Sequence, residues 1–314
     1  MRHSRNVTDL GHRVMVWDQD LARRDSAARQ LGVEMANSLE DGLQWRPDAV
    51  IVCTPPVTHV ALARAALEAD AHVFVEKPLA HASDEVPALL DAAERAGCVL
   101  AVGFNLRFLP SLRRVKALLA GARIGKVFSA RAQFGFYLPA WRPGRDYREG
   151  YAVSAAQGGG ILLDAIHELD YLAWLFGEPV EIFCTAGHVS TLAGDTEDLA
   201  EVTIRFGCGV LAQVHLDYLR RAYRRDLEII GEGGVICWDY AARTVQILGP
   251  TSDRAEEDAD DAPNEAMYVE EMRQFIRCVE KREEPLVDGQ EALRSLRMVE
   301  ASRVSAAERR WVAL

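Results

Sequence analysis

The chain has 314 residues, 49% hydrophobic and 26% charged, with a formal charge of -11. That is a globular composition with enough chain for one large domain or two ordinary ones. Its acidity argues against nucleic acid or an anionic membrane as the main partner, while leaving room for a local basic groove that takes an anionic cofactor. The six cysteines, Cys53, Cys98, Cys184, Cys208, Cys237 and Cys278, form no CxxC pair. They argue against a zinc knuckle or a disulfide framework and read mostly as buried small hydrophobes. With no signal peptide and no apolar run long enough for a bilayer, the expected compartment is the cytoplasm.

The opening, MRHSRNVTDLGHRVMVWDQD, reads as a helix running into a strand at 13–18 that ends in Asp18. Residues 20–31 read as a helix closed by Gly32. Residues 48–53 (DAVIVC) are a continuous apolar, β-branched run, the pattern of a strand covered on both faces. TPP stops it, a helix follows over 58–69, and 71–75 (AHVFV) is another buried strand before EKPLA. A helix over 83–96, capped by Gly97, leads to a strand at 98–104. Strands alternating with helices of this length predict βαβ units and a parallel sheet.

After about residue 126 the pattern changes. KVFSARAQFGFYL predicts a long strand, followed by a loop rich in Trp, Arg, Pro and Tyr, then GGG and one helix over 161–176. Strand-like runs without a long helix between them fill 180–249, which predicts an antiparallel sheet. The acidic, turn-rich stretch 251–266 reads as a solvated loop, and helices over 267–281 and 289–307 close the chain. The predicted class is α/β plus α+β: a parallel-sheet domain over 1–105, then an open, mostly antiparallel sheet with helices over 106–314.

Four motifs carry candidate chemistry. Asp18 at a strand end is placed to accept from adenosine ribose hydroxyls and to repel a 2′-phosphate; a turn residue is the alternative. CTPPVTH (53–59) lies where open α/β sheets bind ligands, so Thr54 and the turn backbone at Pro55 can line a cofactor, while His59 either joins them or only caps and packs. Glu76, Lys77 and Pro78 put two opposite charges directly after a buried strand. A lysine fixed there can hold a substrate hydroxyl or help move a proton; a surface ion pair is the alternative. In GGGILLDAIHELDYLAWLFG (158–177), Asp164, His167, Glu168 and Tyr171 are spaced to share one helical face. A carboxylate one turn from a histidine can orient its imidazole, which makes His167 a candidate general base. The alternative is a buried histidine satisfied by its neighbours. The spacing of Asp164 and His167 also permits a metal, but no further ligands stand out, so none is expected. The three glycines are no dinucleotide fingerprint, because antiparallel strands surround them.

TPPVTH, VFVEKPLA, NLRF and GGGILLDAIHELDYL together resemble the Gfo/Idh/MocA family of NAD(P)-dependent oxidoreductases over nearly the whole chain. The resemblance implies an N-terminal Rossmann domain, a C-terminal α+β domain, and hydride transfer at a hydroxyl or keto carbon of a sugar, nucleotide-sugar or cyclitol. It implies that Lys77 contacts substrate and nicotinamide, that His167 transfers the proton and that Asp164 is its partner acid. Many members space the last two by four residues rather than three. The HELDYL form resembles a sub-group linked to nucleotide-sugar or surface-polysaccharide chemistry. Glu76, Asn105, Trp141 and Arg142 fall at cofactor positions, and Arg107, Tyr137, Tyr147 and Arg148 at substrate positions. NAD is the implied cofactor, with NADP the alternative, and a homo-oligomer through the C-terminal sheet is the implied assembly.

Measured against that family, the first strand and its GxGxxG turn are missing before MRHSR. In strand order 3-2-1-4-5-6 the missing strand lies mid-sheet, so the strands at 13–18 and 48–53 lose the partner between them. The expected explanations are, in order, a start codon assigned too far downstream or a truncated chain, and a natural protein that works without that strand. Such a chain is expected to bind cofactor poorly. Two rival readings follow: a non-catalytic dinucleotide- or sugar-binding regulator of the same fold, and a hydrolase that cleaves a glycosidic bond by transient oxidation.

Overall fold

The structure is a computed structural model that describes residues 1–249, the backbone of 254–257, and 263–314. Helix α1 (Arg2–Asp9) leads to β1 (Met15–Val16). Asp20 then caps α2 (Leu21–Leu31), accepting from the amides of Ala22 at 2.9 Å and Arg23 at 3.3 Å. Gly32 closes α2 at φ +66°, a left-handed conformation that glycine adopts freely. β2 (Glu34–Met35) pairs in parallel with β1, and Ser38 caps α3 (Leu39–Gln44).

The predicted alternation follows in β3 (Ala49–Val52), α4 (His59–Glu68), β4 (His72–Glu76), α5 (Val86–Ala96) and β5 (Leu100–Gly103). β3, β4 and β5 form a parallel sheet in that order. The parallel strands thus make two sheets, β1-β2 and β3-β4-β5, with no ladder joining β1 to β3. β3 has one strand neighbour, and Ala49, Val50 and Ile51 are only half-buried where cover on both faces was expected. Val73, Phe74 and Val75 of the central strand β4 are fully buried.

Helix α6 (Pro110–Ala120) crosses to β6 (Val127–Tyr137), which runs into the short α7 (Leu138–Trp141). The helix expected over 161–176 is broken at Ala165 (φ -94°, ψ 25°) into α8 (Ile161–Asp164) and α9 (Ile166–Phe176). The remaining elements are β7 (Pro179–Gly187), β8 (Leu199–Phe206), β9 (Leu211–Asp217), β10 (Leu219–Gly231), β11 (Gly234–Asp239), β12 (Thr244–Leu248), β13 (Arg254–Glu257), α10 (Ala266–Lys281), α11 (Gly289–Glu308) and β14 (Val312–Ala313). They build one sheet in the order β13-β12-β11-β10-β6-β9-β8-β7-β14, antiparallel except for the parallel pair β6–β9. β13 pairs with β12, so part of the stretch expected to be a loop is strand; 251–253 and 258–262 lie outside the described residues. No helix among the described residues is long and apolar enough to cross a membrane. Of the cysteines, Cys184 and Cys278 are buried, while Cys53 and Cys208 are exposed because both sit in turns after strands.

The C-terminal helices do not respect a division at residue 105. α10 packs on the N-terminal sheet, where Met272 and Phe275 meet Phe74, with the Phe74 and Phe275 rings 5.5 Å apart. Residues 286–288 then run along β5: Val102 N donates to Val287 O at 3.1 Å, and Ala101 bridges Asp288. A sequence pattern locates an apolar helix face but not the sheet it covers.

Arg107, expected at the substrate, sits instead in this seam. Its side chain is 0% exposed. Nε and Nη2 donate to Asp170 at 2.9 and 2.8 Å, and Nη1 donates to Glu291 at 2.5 Å. A guanidinium so enclosed ties the turn after β5 to α9 and α11 and reaches no substrate. Removing Asp170 leaves the buried guanidinium with Glu291 alone and two of its N–H donors unmet. Asp170→Ala is therefore expected to lower stability by about 3–5 kcal/mol, read as a lower urea midpoint at unchanged slope.

Candidate active site

β4 ends at Glu76, and the chain turns at Lys77 and Pro78 through a cis peptide. Lys77 Nζ donates to the main-chain oxygen of Asp164 at 2.6 Å and to its Oδ1 at 3.3 Å. Each side chain is 17% exposed, so this is no surface ion pair: it spans the rim of the parallel sheet and the end of α8. Glu76 takes no part in it. Its carboxylate accepts from the amide of Lys77 at 3.1 Å and lies 2.5 Å from Nε2 of His3. That second contact sets the first turn of α1 at the carboxyl end of β4.

The expected Asp164–His167 contact is not made. Ala165 interrupts the helix between them, and a break of one residue changes the face on which each side chain emerges. The Asp164 carboxylate instead accepts from Tyr151 Oη at 2.6 Å and Tyr218 Oη at 3.2 Å. Burial pushes its pKa up, but the Lys77 ammonium and the two phenols outweigh that and hold it below the usual carboxylate range. His167 is buried, stands edge-on to Phe104 at 5.6 Å, and leaves Nδ1 without a partner. Burial, and after it the charges of Lys77 and Arg225, hold the imidazole well below its ordinary pKa. Glu168 and Tyr171 serve the core. Glu168 pairs with Arg225 at 2.7 Å, and Tyr171 packs edge-on against Trp238 at 5.9 Å.

The other expected residues divide clearly. His59 is buried, with Nδ1 2.8 Å from Pro78 O and Nε2 2.8 Å from Thr54 O, so it braces the two strand-end turns and does not line a cofactor. Thr54 is half-buried and Pro55 exposed at the mouth of β3. Asp18 Oδ1 accepts from Asp20 N at 2.9 Å, leaving Oδ2 without a protein partner. Asn105 is buried, its amide donating to Met267 Sδ at 3.4 Å. Trp141 is 45% exposed and stacks on Tyr223, and Arg142 beside it acts on the Tyr151 hydroxyl. The Arg221 guanidinium lies 3.5 Å from the Tyr137 ring centre. Tyr147 Oη accepts from Ala193 N, in the connection between β7 and β8, at 3.0 Å, and Arg148 pairs with Asp146 of its own loop in solvent.

Two family models match the chain: residues 1–104 match the oxidoreductase family with an NAD-binding Rossmann fold, and residues 112–237 the GFO/IDH/MocA C-terminal domain. The chain is 30% identical to myo-inositol 2-dehydrogenase of Thermotoga maritima, over 99% of this chain and 94% of that protein. It belongs to the Gfo/Idh/MocA oxidoreductase family. The scyllo-inositol 2-dehydrogenase (NAD(+)) of Bacillus subtilis is also 30% identical, over 87% of this chain and 80% of that protein. Among solved structures, GenD2 from gentamicin A biosynthesis, in complex with NAD, superimposes with a TM-score of 0.86 at 26% identity, covering 100% of this chain and 92% of that one.

Within this Gfo/Idh/MocA oxidoreductase, sequence reasoning missed Tyr151, Tyr218 and Arg225, which act with Lys77 on the charge states of Asp164 and His167. Tyr151 stands eight residues before Gly159 in a loop already singled out for its tyrosines and arginines. Nothing in that loop's composition distinguishes Tyr151 from Tyr147. With its pKa depressed, His167 should stay neutral from pH 6 to 8. Its Hε1 resonance should not move across that range in an NMR titration, and Lys77→Met should shift its midpoint upward.

Proposed function

We propose that this chain transfers a hydride between a nicotinamide and a hydroxyl-bearing carbon of a sugar or cyclitol. The observation that carries this reading is the contact of Lys77 with Asp164 across the two domains, beside a neutral, buried His167. The residues present suit a dinucleotide. The first turn of α1 has no side-chain cap, and a helix N-terminus would favour the charge of a pyrophosphate. Asp18 would offer a free carboxylate oxygen to a ribose, and Thr54, Pro55 and Lys77, at the ends of β3 and β4, would hold the nicotinamide. The dehydrogenases named above support NAD over NADP, as does Asp18. When bound, NAD supplies the hydride acceptor.

The chain's own residues do the rest. An ammonium has three donors, and Lys77 spends two on Asp164, leaving one for the substrate oxygen and its developing charge. His167, neutral at pH 7, takes the hydroxyl proton. General acid–base help of this kind is worth about 10²–10⁴-fold. His167→Ala should therefore lose about that much turnover while NAD affinity is retained. The test incubates the full chain with NAD and a panel of cyclitols and sugars and follows NADH absorbance. Unchanged turnover in the variant removes His167 from this role. Nicotinamide binding without any turnover by the wild type favours the regulator.

For the assembly, we assign the open face of the large sheet to a second copy of the chain. Leu211 and Ile230 both register with Ser129, so the two exposed side chains share one row on that face. Leu211→Lys with Ile230→Lys should move the protein to a smaller species in size-exclusion chromatography with light scattering.

A further inference from the structure

Asp164 is gripped by more than its lysine. Tyr151 Oη donates to Oδ1 at 2.6 Å, the same oxygen Lys77 reaches at 3.3 Å, and Tyr218 Oη donates to Oδ2 at 3.2 Å. Tyr218 follows directly on β9 and is fully buried, so the sheet places it. Tyr151 has no such support; it begins a single turn, Tyr151–Val153, within the long connection between α7 and α8. The glycine triplet brings it in. Gly159 N donates to Ser154 O and Gly160 N to Ala152 O, both at 2.9 Å, which lays the two stretches backbone on backbone. A Cβ at Gly159 would stand 2.2 Å from Tyr151 O and 2.7 Å from Ala152 O. One at Gly160 (φ +106°) would stand 2.3 Å from Glu197 Oε1. Thr196 Oγ1 on Ala152 O (3.0 Å) and Arg303 Nη2 on Gly159 O (2.8 Å) lock the arrangement from outside. The triplet, which is no phosphate loop here, is what lets the Tyr151 turn close onto α8.

We propose that Tyr151, assisted by Tyr218, is a positioning residue of this active site, its phenol fixing the Asp164 carboxylate on Lys77 and away from His167. The proposal rests on the hydride-transfer reading for its catalytic consequence, though not for the geometry. With both carboxylate oxygens also engaged by phenols, Asp164 holds two of the Lys77 donors and leaves the third for the substrate oxygen. A carboxylate deprived of a donor is also easier to protonate. The groups facing Asp164 are Lys77 from the β4 rim, Tyr151 from the loop and Tyr218 from the sheet; Arg142 and Glu76 act on Tyr151, and Glu197 acts on Tyr218.

The test is a carboxyl ¹³C NMR titration of the full chain labelled at aspartate, with Asp164→Asn assigning the Asp164 signal. Tyr151→Phe should move the Asp164 midpoint upward, and Tyr218→Phe should move it less. Should Tyr151→Phe not fold, 3-fluorotyrosine placed at position 151 keeps the shape and strengthens the donor, and should move the midpoint downward. In turnover, Tyr151→Phe should lose about tenfold to a hundredfold in kcat, the worth of one hydrogen bond to a charged group. NAD affinity should be unchanged, and the acid limb of the pH profile should move upward with the carboxyl. An Asp164 titration identical in wild type, Tyr151→Phe and the fluorotyrosine protein overturns the proposal. If Asp164 responds as expected while the wild type turns over no sugar, the hydride-transfer reading falls and the positioning role stands.

Discussion

Lys77 and Asp164 meet across the seam between two sheets, and the chemistry of the site depends on that contact. Neither residue gets there alone. Lys77 is aimed by the end of a fully buried central strand and by the turn that His59 braces from the neighbouring loop. Asp164 is aimed by a one-turn helix that starts where three glycines allow a loop to close. The ion pair is mostly enclosed, and an enclosed charge persists only when its hydrogen-bonding capacity is met. Here the ammonium and two phenols meet it on the carboxylate side.

The same positive charges set the state of His167. Burial lowers the pKa of the imidazole most, and the charges of Lys77 and Arg225 act in the same direction. A neutral, buried histidine is available as a proton acceptor. The arrangement also explains a buried pair without a catalytic part. Glu168 neutralises Arg225 next door, so the core carries the guanidinium without an uncompensated charge. Glu271 on α10 has no such partner. Its carboxyl is buried without hydrogen bonds, and burial together with nearby Glu76 raises its pKa well above the usual range.

The seam is reinforced away from the site. Arg107 joins the turn after β5 to α9 and α11, and residues 286–288 lie against β5. The C-terminal third of the chain therefore holds the N-terminal sheet, and helix α9, which carries His167, is anchored through Asp170 one turn further along. Stability and alignment of the site share the same elements.

The sequence by itself determined what short-range chemistry determines. Apolar runs such as AVIV and HVFVE gave strands, Asp20 and Gly32 bounded a helix, and the change from alternating strands and helices to consecutive strands marked the second domain. Lys77, Asp164 and His167 were legible because charged and polar groups inside apolar surroundings need a reason. Only the tertiary structure decided their partners. The break at Ala165 separates Asp164 from His167, and helical spacing cannot show it. Arg107 looked like a substrate contact until Asp170 and Glu291, 63 and 184 residues away, were placed beside it. Hydrogen bonds act over about 3 Å, and residues that far apart along the chain come within that distance only when the sheets and helices have packed.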